Sequence, residues 1–110
     1  MGVEFYITRA NFWAENDETQ ITPEEWLAFI DSDSDLTRDL KNGDYHALWS
    51  GPSLHDNAWL DWSDGNIYTK WPDTQIYRKM LDIAKGLNAR VMDDDGNIYS
   101  EPSDWKYEPS

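Results

Sequence analysis

The side chains whose types and spacing come nearest to doing chemistry are carboxylates. Asp31, Asp33 and Asp35 alternate with Ser32 and Ser34, matching the first three acidic positions of an EF-hand calcium loop. The sixth position of that frame is then Leu36, where the loop needs Gly to turn, and the twelfth is Asn42, where it needs a bidentate Glu. A second frame starting at Val91 places Asp93, Asp95 and Gly96 in register, but Val91 is no ligand and Pro102 falls at the closing position. Neither run is an EF-hand, and solvated acidic loops account for both. No metal site or cofactor is expected.

Nucleophilic catalysis has less to draw on. The chain contains no cysteine and no Gly-x-Ser-x-Gly elbow. Its imidazoles are His46 and His55, and the adjacent His55-Asp56 pair points apart if it lies on a strand. No Gly-rich run precedes a helix to cradle phosphate. Carboxylates are abundant enough for acid–base work, yet no two are singled out. The chain is therefore read as a binding protein, not an enzyme.

Charge narrows the partner. Twenty-two acidic residues against nine basic ones give a formal net charge of −13 over 110 residues. Such a field repels nucleic-acid phosphate and anionic lipid, and it accelerates encounter with a cationic partner. Solubility alone is the other reading of the same charge. Disorder is excluded for most of the chain by seven Trp, six Tyr and three Phe, which bury large areas. No basic n-region with an apolar run opens the sequence, and no segment is apolar enough to span a bilayer. A cytoplasmic protein with no membrane or nucleic-acid partner is the expectation.

The elements that must position these residues centre on residues 58–71. Asp64-Gly65 suits a two-residue turn in which both central residues take φ > 0. Ser63 then opposes Asn66, Trp62 opposes Ile67, Asp61 opposes Tyr68, and Trp59 opposes Lys70. One face carries Ala58, Leu60, Trp62, Ile67, Thr69 and Trp71, as a core face should. The other carries Trp59, Asp61, Tyr68 and Lys70, where Trp59 and Lys70 could form a cation–π pair and Asp61 an ion pair with Lys70. This outer face reads as a partner-binding patch, as ordinary cross-strand stabilisation, or as a surface buried beneath Trp105 and Tyr107 of the tail.

Around the hairpin, Val3, Phe5 and Ile7 alternate with Glu4, Tyr6 and Thr8 as a half-buried strand. Residues 11–13 are expected to pack back on the core. Thr22, Pro23 and Glu25 open a helix with a capping box, and Trp26, Leu27, Phe29 and Ile30 supply its apolar side to about residue 32. The polar connector 31–44 is expected to hold a helical turn through Leu36 and Leu40. Its acids Asp33, Asp35, Asp39 and Asp44 form a second candidate docking surface for a basic partner. Residues 46–50 read as a short strand. Asp73 caps a second helix with an apolar stripe at Ile76, Met80, Ile83, Ala84 and Leu87, and Asn88 stops it in the left-handed conformation. A closing hairpin with a four-residue loop at Asp93-Asp94-Asp95-Gly96 puts Val91 opposite Ile98.

The fold expected is one α+β domain over residues 1–100, a mainly antiparallel sheet of about five strands with both helices on one face, followed by an irregular tail, 101–110.

The segments around Thr22-Pro23-Glu24-Glu25-Trp26-Leu27, Trp59-Leu60-Asp61-Trp62, Lys79-Met80-Leu81-Asp82-Ile83-Ala84 and Asp94-Asp95-Gly96-Asn97-Ile98-Tyr99 resemble small acidic immunity proteins of interbacterial toxin systems. The resemblance implies a protein that is monomeric until it binds a cognate toxin with a basic active-site cleft and blocks it stoichiometrically. It marks no binding residues. An acidic nucleic-acid mimic that regulates a basic DNA- or RNA-binding protein is the alternative, as is a small domain with neither activity.

Overall fold

A computed structural model describes residues 4–51, 58–70 and 72–105. The expectations placed on Val3, His55, Asp56, Trp71 and Tyr107 lie outside the described residues.

The first strand, β1 (Glu4–Thr8), runs into a long wrapping loop and then helix α1 (Pro23–Ser32). Thr22 Oγ1 accepts from the Glu25 amide at 3.1 Å and Glu25 Oε1 accepts from the Thr22 amide at 3.1 Å, so the capping box predicted from sequence is closed. Three short or medium strands follow: β2 (Leu36–Arg38), β3 (Ala47–Trp49) and β4 (Trp59–Ser63). Strand β5 (Asn66–Lys70) completes the central hairpin, with Asp64 at φ 50° and Gly65 at φ 87° as a primed turn demands. Its register is the one read from sequence: Ser63 with Asn66, Trp62 with Ile67, Asp61 with Tyr68.

Helix α2 (Thr74–Gly86) starts on Asp73, whose carboxylate accepts from the Ile76 amide at 2.9 Å. It ends in a Schellman motif: Ala89 N–H donates to the Ala84 carbonyl at 2.8 Å and Asn88 N–H to that of Lys85 at 3.4 Å, with Asn88 at φ 55°. Strands β6 (Arg90–Asp93) and β7 (Ile98–Tyr99) close the chain before a single 3-10 turn at Pro102–Asp104.

All strand pairs are antiparallel, and the order across the sheet is β2-β3-β4-β5-β1-β6-β7. Strand β1 threads between the two hairpins, with Tyr6 beside Tyr68 on one side and Met92 on the other. On the inner face Phe5, Ile7, Leu60, Ile67 and Val91 join Trp26 and Ile30 of α1 and Met80 and Ile83 of α2 in one buried cluster. Both helices therefore share one face of the sheet. No helix among the described residues is long and apolar enough to cross a membrane.

Two local readings are corrected. Among the described residues the sheet has seven strands, because residues 36–38 form edge strand β2 where a helical turn is expected. Pairing with β3 buries Leu36 and leaves Leu40 68% exposed, so the two leucines at helical spacing do not share a face. In the last hairpin Val91 lies opposite Tyr99 and Met92 opposite Ile98. Asp93 N–H donates to the Asn97 carbonyl at 3.1 Å, which leaves a three-residue loop with Gly96 left-handed at φ 89°. Ile98 is thereby turned outward.

Long-range polar contacts join α1 to the rest. Ile21 N–H donates to the Gly65 carbonyl at 2.9 Å, and the Ile21 carbonyl accepts from Trp62 Nε1 at 2.8 Å. Arg9 grips Glu25 with both terminal nitrogens, at 2.9 and 2.5 Å, and sends Nε to the Leu87 carbonyl at the end of α2, 2.9 Å away. The Arg9 pair, then the Thr22 amide, holds the Glu25 carboxyl down at about 2. A carboxyl depressed on folding stabilises the native state above its unfolded value and loses that contribution as pH falls through its folded one. The Arg9→Gln variant is therefore expected to be less stable than the parent near neutral pH. Because the Glu25 side chain is 39% exposed and screened by solvent, the deficit is about 1 kcal/mol. Urea titrations across the acid range should show it shrinking from about pH 4.5 towards about pH 2.

Candidate functional site

The face of the sheet turned away from the helices carries a row of rings that crosses three strands and ends just before a fourth. Alternation along β1 puts Glu4, Tyr6 and Thr8 on this face, and the same alternation on β5 and β4 puts Tyr68, Lys70, Trp59 and Asp61 there. Tyr6 and Tyr68 are register partners with centroids 6.3 Å apart; Trp59 meets Tyr68 edge-on at 5.5 Å. His46, just before β3, stacks on the far side of Trp59 at 5.4 Å. The row thus runs Tyr6, Tyr68, Trp59, His46.

The wrapping loop, residues 9–20, covers one end of it. Trp13 lies flat on Tyr6, 4.1 Å away and within 6° of parallel, while its indole donates to the Asp94 carbonyl at 3.1 Å. Trp13 thus packs on the outer face instead of the core, with Phe12 beside it and Asn11 exposed. Two asparagines hold the loop there. Asn16 Nδ2 donates to the Asp64 carbonyl at 2.8 Å and to Asn66 Oδ1 at 3.0 Å, and Asn66 Nδ2 donates to the Trp13 carbonyl at 2.9 Å. Both side chains are buried with their amides used, so their burial is offset by hydrogen bonds. The β4–β5 side of the face stays open, with Trp59, Asp61 and Tyr68 half-buried and Lys70 exposed.

Electrostatics give this row its sign. Glu4 accepts a hydrogen bond from Tyr6 and lies 3.6 Å from Lys70 Nζ. Burial first, then Glu4 and the Asp94 charge, push the Tyr6 phenol far above its ordinary range. Tyr68 is raised too, by burial first and then by Asp61 and Glu4. Carboxylates that oppose a phenolate also attract a cation, and the negative faces of the rings add to that attraction. At the other end His46 Nδ1 lies 3.2 Å from Asp39 Oδ2, off the line of a hydrogen bond. The Asp39 carboxylate accepts instead from Asn42 Nδ2 at 2.5 Å.

The site residues expected from sequence are distributed unevenly. Trp59, Asp61, Tyr68 and Lys70 do share one face. Lys70, however, pairs with Glu4 across β1–β5 and not with Trp59 or Asp61, because Glu4 is its register neighbour. Asp61 Oδ1 accepts from the Trp62 amide at 2.9 Å. The connector acids differ in burial and partners. Asp33 ends α1 and meets Lys79 of α2 at 2.5 Å; burial raises its carboxyl, but Lys79 and the Asp35 amide outweigh that and lower it. Asp35 and Asp44 are exposed, and Asp39 belongs to the His46 end of the row. Trp105 docks on the helix side against Phe5 and Tyr77, at 4.9 and 5.5 Å, so it does not cover the outer face. Glu4, Tyr6, Trp13 and His46 were missed as site residues. Only the β1–β5 pairing brings Tyr6 to Tyr68, and that pairing has no local signal.

Among the described residues, Asp93, Asp94 and Asp95 come together as a potential metal set. Asp93 is already spent. Its Oδ1 accepts from the Asp95 and Asn97 amides at 3.0 and 2.9 Å, and its Oδ2 from Asn97 Nδ2 and the Tyr99 hydroxyl at 3.0 and 2.9 Å. Four donors occupy the four lone-pair directions of a carboxylate, so this side chain builds the turn. The Asp93→Ala variant is expected to lose about 1–3 kcal/mol in urea unfolding, since those donors are orphaned in a part-buried place.

Comparison of the chain with family models, with characterised proteins and with solved structures returns no match.

Proposed function

We propose that this chain is an immunity-type protein that binds a cognate toxin effector one to one and occludes a cationic active-site cleft. The observation that carries the reading is the open aromatic row Tyr68–Trp59–His46, flanked by Glu4, Asp61 and Asp39, on the sheet face that neither the helices nor Trp105 covers. Half-buried Trp and Tyr rimmed by acids match what a binding hot spot for a basic surface requires. The formal net charge of −13 supports the same partner by steering encounter. A specific complex needs about 1,200–2,000 Å² of total buried surface, so the row would be the centre of the interface and the loops at either end its rim.

In this reading the protein is a cytoplasmic monomer until the toxin arrives, and it holds the toxin by complementarity without chemistry. Co-expression with the toxin encoded by the neighbouring gene tests it: protected growth and a stable one-to-one complex are expected. Unprotected growth with every adjacent toxin contradicts it. Displacement of DNA from a basic binding protein, with no protection against a toxin, would favour the nucleic-acid mimic instead.

A further inference from the structure

A recess lies at the Tyr6 end of the acidic row. A cavity of about 410 Å³ opens beside Glu4, Tyr6, Trp13, Tyr68 and Lys70, with the buried amides of Asn16 and Asn66 at its inner end. Tyr6, Trp13 and Tyr68 supply its aromatic lining, and its carboxylates are Asp64 and Glu4, the latter already accepting from Tyr6. Among the described residues that carboxylate pairs with Lys70, a side chain 54% exposed and held only at 3.6 Å. An ammonium on a flexible stem at that distance is displaced at little cost, because exposed pairs contribute almost nothing to stability.

We infer that this cavity seats one arginine side chain of the partner, its guanidinium lying between Trp13 and Tyr68 and its charge taken up by Glu4 in place of Lys70. The inference rests on the inhibitor reading and names the chemistry of its anchor. A guanidinium is planar and weakly hydrated, and it stacks on ring faces while its edge donates to a carboxylate; an ammonium does the second only. The cavity offers both at once. Asp64, which also lines the cavity, and Asp94, whose charge reaches Tyr6, add to the attraction. Neutral polar groups at the inner end, Asn16 and Asn66, are committed to the loop and the hairpin, so they shape the recess and leave recognition to Glu4 and the rings.

The test uses the free protein and a small probe, so it is independent of any toxin. N-acetyl-arginine amide is titrated against the protein while the Trp13 indole N–H is followed by NMR, with N-acetyl-citrulline amide as the isosteric neutral control. A saturable shift at Trp13 with arginine, and at least about tenfold weaker binding of citrulline, is expected. Lys70→Met should tighten arginine binding by about threefold by removing the competing cation, and Glu4→Gln should weaken it by about tenfold. The Lys70 arm predicts a gain, so a damaged fold cannot imitate it. Equal binding of arginine and citrulline, or no change in either variant, overturns the assignment. A stable toxin complex found alongside that result would overturn the pocket alone and leave the inhibitor reading standing; failed protection with arginine still bound would do the reverse.

Discussion

Gly65→Ala is expected to destabilise the fold by about 2–4 kcal/mol. Gly65 sits at φ 87°, where an L side chain is strained by about 1–2 kcal/mol. A Cβ there would also lie 2.5 and 2.6 Å from Gln20 Cγ and Cβ and 2.8 Å from Asn16 Nδ2. Gln20 Cγ can swing aside, but Gln20 Cβ is fixed by the backbone. Asn16 is buried and bonded to Asp64 and Asn66. The wrapping loop must therefore lift from the hairpin, breaking the bond from Ile21 N–H to the Gly65 carbonyl that fixes the start of α1. Asp64→Gly, one residue earlier at φ 50°, is the control and is expected to stay within about 0.5 kcal/mol of the parent. Urea unfolding of both variants decides it: equal stability would mean that the loop does not rest on the turn as described.

Trp26→Ala is expected to cost about 3–5 kcal/mol. Trp26 is fully buried, packs on Phe29 with centroids 6.3 Å apart, and belongs to the cluster that joins α1 to the sheet. Its indole also donates to the Tyr45 carbonyl at 2.8 Å, next to His46 at the end of the aromatic row. Truncation thus removes core volume and frees the loop that delivers His46 and Asp39. Trp26→Phe separates the two effects. It keeps most of the volume and loses the donor, so a smaller loss of about 1–2 kcal/mol is expected. A Trp26→Ala loss below about 1 kcal/mol in urea unfolding would contradict the packing described.

Where the determinants are local, the sequence is readable residue by residue. Thr22 with Glu25, Asp64 with Gly65, and Asn88 after α2 each fix a boundary through a short-range hydrogen bond or a single dihedral angle, and all three form as the residue types dictate. Periodicity places α2 equally well, although Tyr77 and Leu81 widen its buried face beyond the narrow stripe. Strand β2 escapes because three residues, Leu36-Thr37-Arg38, are too few to display alternation, and Leu36 and Leu40 imitate a helical pair. The last hairpin slips by one residue because a left-handed Gly96 permits a three-residue loop, and the inward-facing partner of Val91 becomes Tyr99.

The candidate site shows the same division. Trp59, Asp61 and Tyr68 are legible together because one hairpin holds them. Tyr6 and Trp13 are not, since their place depends on β1 pairing with β5 across more than half the chain and on Asn16 tying the loop to the hairpin. The acidic connector has no comparable local guide: Asp33 caps α1, Asp35 precedes β2, and Asp39 and Asp44 lie between β2 and β3. Of these four, Asp39 reaches the aromatic row through His46.

In the proposed complex the open face of the sheet, not the helix face, meets the partner. Titration of the purified cognate toxin with the Trp59→Ala/Tyr68→Ala double variant, and with Asp82→Ala on the exposed side of α2 as the control, tests it most directly. The double variant is expected to bind at least about 2 kcal/mol more weakly, roughly thirtyfold in Kd, while its urea midpoint shows it folded and the control binds like the parent. A double variant that binds as tightly as the parent, or a control that loses affinity in its place, would contradict it.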